Sequence, residues 1–432
     1  MTDPQPCRVI GVLDDGIASL SATALVHLRT ADVVIGGTRV LDLFEDEIAP
    51  SATRLDLTGR MSEVPQWIRQ ARGDLQKSVL LATGDPLCHG IASYLAAQLC
   101  IESLEVLPNV STLQLACARI GLAWQDARIV SIHSKDAGEW QIGAAPTHGL
   151  YALAQALRTH DRLAVLTSPD NGPARIARLL LAEGLGEQFN MAVAERLCCH
   201  DELVQADLCA SEAANMQFAD PNVVLLWRTQ ARHNPVRMGL ADTEYHQRQP
   251  DKGLITKQEV RAVSLARMQL RLDSRVWDIG AGSGSVGLEA ARLCPQGHVW
   301  AIEKNEADFA IATQNRQAFG VSNHTLVNGK APDGLQDWLD PDAVFIGGSG
   351  GELADLIGLV LQRLVPGGHL VMNFVTLENL SLATQTLANH QVQWDVLQLQ
   401  AARSKPILHM HRMAAENPVW IVCARKPEQV QS

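Results

Sequence analysis

The sequence has no surplus of positive charge. Its 36 Lys and Arg face 47 Asp and Glu, a net of −11. Residues 251–432 carry 16 basic and 18 acidic side chains, which leaves 20 and 29 to the first 250. Neither half has the basic excess that a long phosphate backbone demands, so a nucleic-acid partner is disfavoured. None of the nine cysteines forms a Cys-x-x-Cys pair, and Cys198-Cys199 is the one adjacent pair. That argues against a zinc ribbon or a disulfide framework and points to reduced thiols in the cytoplasm. Cys198 and Cys199 read as small core residues. No apolar run approaches the roughly 18 residues of a membrane helix, and "MTDPQPCRVIGV" lacks the order of a secretory signal. No Ser-His-Asp or Cys-His arrangement stands out, and the halves show no convincing repeat.

What is present is an ordinary globular composition, 47% hydrophobic and 19% charged over 432 residues, enough for two or three domains. Short apolar runs alternate with helical patterns through the first 230 residues, the rhythm of α/β units. "CRVIGV", "ADVVIG", "SVLLAT", "LEVLP", "ARIVSIH", "RLAVLTSPD", "MAVAERL" and "NVVLLW" read as strands, in two α/β lobes joined near residue 120. Periodicity lapses in "TQARHNPVRMGLADTEYHQRQPDKG" and then restarts. Thr256-Lys-Gln-Glu259 reads as a capping box. "RVWDIG", "HVWAIE", "HTLVN", "AVFIGG", "HLVMNF", "VQWDVLQLQ" and "PVWIVCAR" follow as strands of one doubly wound sheet. The expected organisation is an α/β domain over 7–230, a linker over 231–252 and a Rossmann-like α/β domain over 253–428.

The sharpest motif is "VWDIGAGSGSVGLE". Gly282-Ser-Gly284-Ser-Val-Gly287 fits Gly-x-Gly-x-x-Gly, with Glu303 19 residues beyond Gly284, which alone also fits a dinucleotide. Asp278, two residues before Gly280, argues otherwise. A carboxylate there opposes a pyrophosphate but attracts the sulfonium and ammonium of S-adenosylmethionine. Glu303 suits ribose hydroxyls in either reading. Gly347-Gly-Ser-Gly-Gly351 falls where strands of such sheets end at a ligand crevice, or is simply a flexible turn.

These residues carry a resemblance. "GLITKQEVRAVSLARMQL", "VWDIGAGSGSVGLEAAR", "AIEKN", "VFIGGSGG" and "RLVPGGHLVMNFVTLEN" resemble the decarboxylating methyltransferase domain of cobalamin biosynthesis. "VIGVLDDGIASLSATA", "LLATGDPLCHGIASYLA" and "LPNVSTLQLACARIGLAWQDARIVSIH" resemble the tetrapyrrole methylase family. The likeness implies two methyltransferases of unrelated fold, each with its own S-adenosylmethionine, acting on a precorrin. It places a first cofactor site in a cleft between two lobes, at Gly84, Asp85, Pro86, Ser111 and Thr112. It places the second at Asp278, Gly280, Gly282, Gly284, Glu303, Gly329, Lys330, Ala331 and Gly347. It further implies methylation of carbon 5 by the first domain. The second would methylate carbon 15 and remove carbon dioxide from the acetate on carbon 12. Two departures stand out. Val12 and Leu13 follow Gly11 where relatives have Gly-x-Gly, and Lys330 replaces an acid often found near the adenine amine.

Methyl transfer to an enamine-like meso carbon needs alignment and exclusion of water, not a side-chain nucleophile. Lys257, Glu259, Arg261 and Asn373 are the candidates for orienting the acetate and managing protons. Arg39, Arg54, Arg60 and Arg119 are loose candidates for the substrate's other carboxylates. His409-Met-His411 offers two imidazoles on one strand face but no third or fourth ligand. The competing readings are an RNA methyltransferase with an N-terminal recognition domain, which lacks its basic surface, and an NAD-linked oxidoreductase, which Asp278 opposes. Loss of activity in one half, leaving a docking scaffold, is a third. Self-association is expected from the habit of related domains.

Overall fold

The computed structural model describes residues 5–231, 236–248, 255–348 and 351–428. They divide into two compact units. The first comprises 1–138, 160–181 and 185–231; the second comprises 139–159, 182–184 and 232–432. Among the described residues no helix is long and apolar enough to cross a membrane.

The first unit holds two lobes. β1 (Cys7–Val12), β2 (Val33–Gly36), β3 (Thr53–Asp56), β4 (Ser78–Thr83) and β5 (Leu104–Leu107) form a parallel sheet of order β3-β2-β4-β1-β5. Alternation along its central strands fills two layers at once, as period-2 side chains must. Ile10, Val12, Val79 and Leu81 enter one apolar cluster, while Cys7, Val9 and Leu80 enter the other. The helix Thr112–Ile120 then leads to the second lobe, started by a capping box between Ser111 and Gln114. That lobe contains β6 (Arg128–Ser131), β7 (Arg162–Leu166), β8 (Phe189–Glu195), β9 (Leu203–Leu208) and β10 (Asn222–Arg228), in the order β6-β7-β10-β8-β9. Only β6 and β7 run parallel. Cys198 and Cys199 belong to a turn after β8 and are half-buried, not core; Cys198 has φ 65°.

The second unit is built on β11 (Arg275–Ile279), β12 (His298–Glu303), β13 (His324–Asn328), β14 (Ala343–Ile346), β15 (His369–Phe374), β16 (Gln393–Leu399) and β19 (Val419–Arg425). The hairpin β17 (Ala402–Ile407) and β18 (Met410–Ala415) projects between the last two. The sheet order is β13-β12-β11-β14-β15-β19-β16, with β19 antiparallel to both neighbours. The chain runs outward from β11 to β13 and returns to β14 on the other side. A crevice therefore opens at the strand ends between β11 and β14. β12 is buried along its whole length, because helices cover both faces of this sheet.

Part of the stretch read as linker is packed instead. Leu240 and Tyr245 are buried, and the Gly239 and Leu240 amides donate to Glu289 at 2.7 and 3.2 Å. Its polar residues serve a buried ionic network, which a composition reading mistakes for solvation. Residues 232–235 and 249–252 of that stretch, Gly253 at the expected domain start, and Ser349 and Gly350 of the second glycine run lie outside the described residues.

Residues 139–159, drawn from the middle of the chain, also belong to the second unit. Thr325 Oγ1 donates to the Gly143 carbonyl at 2.6 Å, so it accepts from His298 Nε2, 2.8 Å away. Burial drives the His298 pKa down to about 3, so the ring is neutral and its other nitrogen, Nδ1, accepts. Tyr151 Oη lies 2.8 Å from it and supplies the proton.

Candidate functional site

In the second unit a cavity of about 710 Å³ lies at the crevice between β11 and β14. Gly280, Ala281 and Gly282 after β11, Glu303 after β12 and Gly329, Lys330 and Ala331 after β13 form one half of its wall. Gly347 and Gly348 after β14 stand at the centre, and Thr256, Lys257, Glu259, Asn373, Leu399 and Glu416 are among the residues of the other half. The two glycine turns touch. A Cβ on Gly280 would lie 2.6 Å from the Gly348 carbonyl, and one on Gly347 3.0 Å from the Gly280 carbonyl. Gly280 also has φ +74°, a left-handed conformation that side chains resist. Glycine at these positions is a steric requirement, and it leaves bare backbone facing the cavity.

Glu303 shapes the same loop. Its Oε2 accepts from the Gly282 amide and its Oε1 from the Asn305 amide, both at 2.8 Å. Gly284 and Asp278 do not reach the wall. Gly284 begins the helix Ser285–Leu293 with φ 78°. Asp278 is 1% exposed, and its Oδ2 accepts from the Gly287 amide at 2.9 Å. Burial pushes its carboxyl up to about 7, against the lowering by that amide. Its other oxygen, Oδ1, has no hydrogen-bond partner among the described residues, nor has either nitrogen of the fully buried His324. Both approach Gly287: a Cβ there would sit 2.6 Å from Asp278 Oδ2 and 2.9 Å from His324 Nε2.

Of the four candidates at the far half, three line the cavity and Arg261 does not. Arg261 is fully buried. It donates through Nε to Glu289 at 2.7 Å and through Nη1 to Asp242 at 3.2 Å and to the Thr256 carbonyl at 2.5 Å. Tyr245 lies 4.9 Å beneath it. A guanidinium with these partners is a structural anchor. The expected capping box is also absent: the helix Gln258–Arg267 starts at Lys257 with no side-chain cap. Glu259 is engaged elsewhere, by Arg403 of β17 through Nε at 3.1 Å and Nη2 at 2.5 Å. Arg403 also donates to Asp242 at 3.1 Å. This arginine holds the Glu259 carboxyl below the usual carboxylate range. Asn373 Nδ2 donates to Ser264 Oγ at 3.0 Å. Lys330 is exposed and paired with Glu352 at 2.7 Å. Leu399 and Glu416, brought to the cavity by a fold-back of the last strands, were not legible as site residues, nor was Arg403, which reaches the site only through Glu259 and Asp242.

In the first unit, the turns after β1, β4 and β5 meet. Gly84 has φ +69°, and its amide donates to the Val12 carbonyl at 2.8 Å. Asp85 Oδ1 accepts from the Leu87 amide at 2.9 Å, which fixes the turn through Pro86. A Cβ on Gly84 would lie 3.4 Å from the Thr112 amide and 3.6 Å from Ser111 Cα. The five residues expected there are thus gathered at the carboxyl ends of the parallel strands. Asn109 Nδ2 ties the turns together, donating to the Gly11 and Ser19 carbonyls at 3.0 and 2.9 Å. Leu13 is buried and its amide donates to Ser19 Oγ at 3.1 Å.

The other basic candidates are all paired. Arg39 binds Asp14, Arg54 binds Glu45 at 3.2 Å, Arg60 binds Glu63 at 2.7 Å and Arg119 binds Glu202 at 2.5 Å. His411 lies opposite Pro406 in the hairpin, and His409 is in its turn.

Two family profiles match the chain: "Tetrapyrrole (Corrin/Porphyrin) Methylases" over residues 7–210 and "Precorrin methyltransferase domain" over 249–426. A Sinorhizobium protein named precorrin-6Y C(5,15)-methyltransferase [decarboxylating] is 32% identical over 414 residues, covering 92% of this chain and 91% of its own. The Salmonella typhimurium cobalt-precorrin-6B C(15)-methyltransferase (decarboxylating) is 40% identical over 175 residues, 40% of this chain and 90% of its own. A crystal structure titled precorrin-6y C5,15-methyltransferase, from Geobacter metallireducens GS-15, is 42% identical, with a TM-score of 0.43; the match covers 44% of this chain and all of that one.

Proposed function

The chain belongs to the decarboxylating precorrin-6Y C(5,15)-methyltransferases, and from that premise we propose how its two units divide the work. The protein methylates precorrin-6Y at carbons 5 and 15 and decarboxylates the carbon-12 acetate, giving precorrin-8. The first unit is assigned carbon 5, and the second carbon 15 together with the decarboxylation. One observation carries the second assignment: the touching glycine turns and the Lys257–Asn373 group line a single cavity.

S-adenosylmethionine, when bound, supplies the electrophilic methyl group. In the second unit Gly280, Gly282 and Gly347 would hold it through exposed backbone, with Glu303 beside the ribose and Gly329–Ala331 beside the adenine. The cradle fits, since a side chain at Gly280 would strike the Gly348 backbone and force apart the two turns that form it. Asp278 acts from behind, fixing the helix start through Gly287 and so the loop it follows. In the first unit Gly84, Asp85, Pro86, Ser111 and Thr112 would hold a second molecule. Lys257 has no carboxylate partner among the described residues and is half-buried, which suits an anchor for a substrate carboxylate. Asn373 stands behind it.

The chain works in the cytoplasm without a nucleic-acid partner. It self-associates through the hairpin, where Leu408 is 91% exposed beside exposed Met410 and Met413.

Two variants of the full chain test the two-site reading. Gly280→Ala is expected to abolish methylation of carbon 15 and leave carbon 5, whereas Gly84→Val is expected to do the reverse. Mass spectrometry of the tetrapyrrole with labelled cofactor distinguishes the products. Loss of both methyls from one variant, or of neither, would sink the division.

A further inference from the structure

Loss of carbon dioxide from an acetate leaves a carbon that takes up one proton. Carbon 12 is three bonds from carbon 15 in the macrocycle, so the proton donor belongs to the same cavity as the methyl acceptor. Six ionisable side chains line that cavity: Lys257, Glu259, Glu303, Lys304, Lys330 and Glu416. Four are committed or misplaced. Glu303 accepts from two backbone amides. Glu259 is held at both oxygens by Arg403. Lys330 is paired with Glu352. Lys304 is exposed and follows β12, on the cofactor half.

Lys257 and Glu416 remain. Neither has a hydrogen-bonding or ionic side-chain partner among the described residues, and both are half-buried. Topology places Glu416 well away from the cofactor. It precedes β19, and β12, which carries Glu303, lies four strand spacings away in the order β12-β11-β14-β15-β19. At about 4.8 Å per spacing that is about 19 Å, so Glu416 belongs to the substrate half. Among its neighbours on the wall Leu399, Ala401 and Val419 are apolar, and Asn417 is the one polar side chain. Its backbone is fixed, because the Glu416 amide donates to the Ala401 carbonyl at 2.8 Å. Arg403 then pins the base of the hairpin to Glu259 and Asp242.

We propose that Glu416 is the general acid that protonates the carbon left by decarboxylation, a role that rests on the decarboxylation assigned to this unit above. Docking the substrate acetate beside it places two carboxyl groups in an apolar corner. Two carboxyl groups brought together in this way share one proton, and Glu416 hands it to the carbon. The bond between the methylene carbon and the carboxylate breaks, and its electron pair passes into the conjugated macrocycle. Carbon dioxide forms in a reversible step, and its net release waits on protonation, which stops the pair from adding back to it. The pair returns to the exocyclic carbon as that carbon takes the Glu416 proton, making a methyl group, and the Glu416 carboxylate regains a proton from water. Lys257 serves a different end: an ammonium paired with the departing carboxylate would stabilise it, so Lys257 is suited to carboxylates that stay.

The test uses the full chain with labelled S-adenosylmethionine and the reduced tetrapyrrole, and follows carbon dioxide and carbon-15 methyl separately. Glu416→Gln should bind S-adenosylmethionine within about twofold of wild type and retain carbon-15 methylation. Carbon dioxide release should fall by about a hundredfold or more, so that a methylated product still bearing its carboxyl accumulates. Glu416→Ala should behave alike and regain carbon dioxide release on addition of acetate or formate, but not chloride. Carbon dioxide release from Glu416→Gln at near the wild-type rate would overturn the proposal. So would a joint loss of both activities that neither acid restores. If wild type itself releases no carbon dioxide, the decarboxylation reading fails, whatever Glu416 does.

Discussion

Asp278 shows how far a single charged residue can be understood before its surroundings are known. Its place in the motif made it an attraction for a cationic ligand, yet its carboxylate turns to the amide of Gly287 and never reaches the cavity. Spacing identifies the loop but not the direction in which a side chain turns. The positions of Gly280, Gly282, Gly347 and Glu303 on the cavity wall were legible because backbone geometry local to the motif imposes them. Arg261 was not, since its partners Asp242 and Glu289 lie 19 and 28 residues away along the chain. A pH prediction follows for Asp278. Its folded pKa is about 7 against the usual 3.8, so between those values the folded state holds a proton that the unfolded state has lost. The stability from this group is full below pH 4, declines as pH rises to 7, and is flat above. Asp278→Asn can still accept from Gly287 but cannot ionise. The variant should therefore gain on wild type by up to a few kcal/mol between pH 5 and pH 8 in denaturant titrations. His298 and His324, both lowered to about 3 by burial, lose stability as pH falls below about 6.5. They do so equally in both proteins, so the difference isolates Asp278.

Strands with a continuous apolar run, or with an apolar alternation as in β16, were readable, and those with neither were not. β12 is buried from end to end and announces itself. β3, β9 and the β17–β18 hairpin have no fully buried residue, so no periodicity betrays them; pairing partners elsewhere decide their conformation. The hairpin matters most, because its base closes the cavity. Arg403 secures it to the helix Gln258–Arg267, 144 residues earlier. It also draws the Glu259 carboxylate to the hairpin through both oxygens, and the helix starts at Lys257 with no side-chain cap. Arg403→Met should lower the melting temperature by only a degree or two, because the pair is 33% and 42% exposed. It should leave S-adenosylmethionine affinity within twofold and raise KM for the tetrapyrrole several-fold. Calorimetry and steady-state kinetics separate these effects, and an unchanged KM would deny the hairpin base any part in substrate binding.

At the scale of the molecule, the restart of α/β rhythm after residue 250 gave two bodies in the right order. Chain order could not show that residues 139–159 join the second, because helical periodicity reports a buried face and not what covers it. The consequence is testable. A fragment of residues 236–432 keeps Leu240 and Asp242 but lacks Tyr151 and Gly143, which satisfy His298 and Thr325. It should melt several degrees below the same unit in the intact chain. Tyr151→Phe in the intact chain should reproduce part of that loss, about 1–3 kcal/mol for an unsatisfied buried ring nitrogen. Equal melting temperatures for fragment and intact unit would show that the segment contributes nothing. This arrangement also sets a clock during translation. Tyr151 and His298 are 147 residues apart, and a ribosome adding roughly 5–20 residues per second separates their emergence by roughly 7–30 seconds. Through that interval the nascent chain carries a docking segment whose surface does not yet exist, and a chaperone that shields it would be acting on a delay written into the topology.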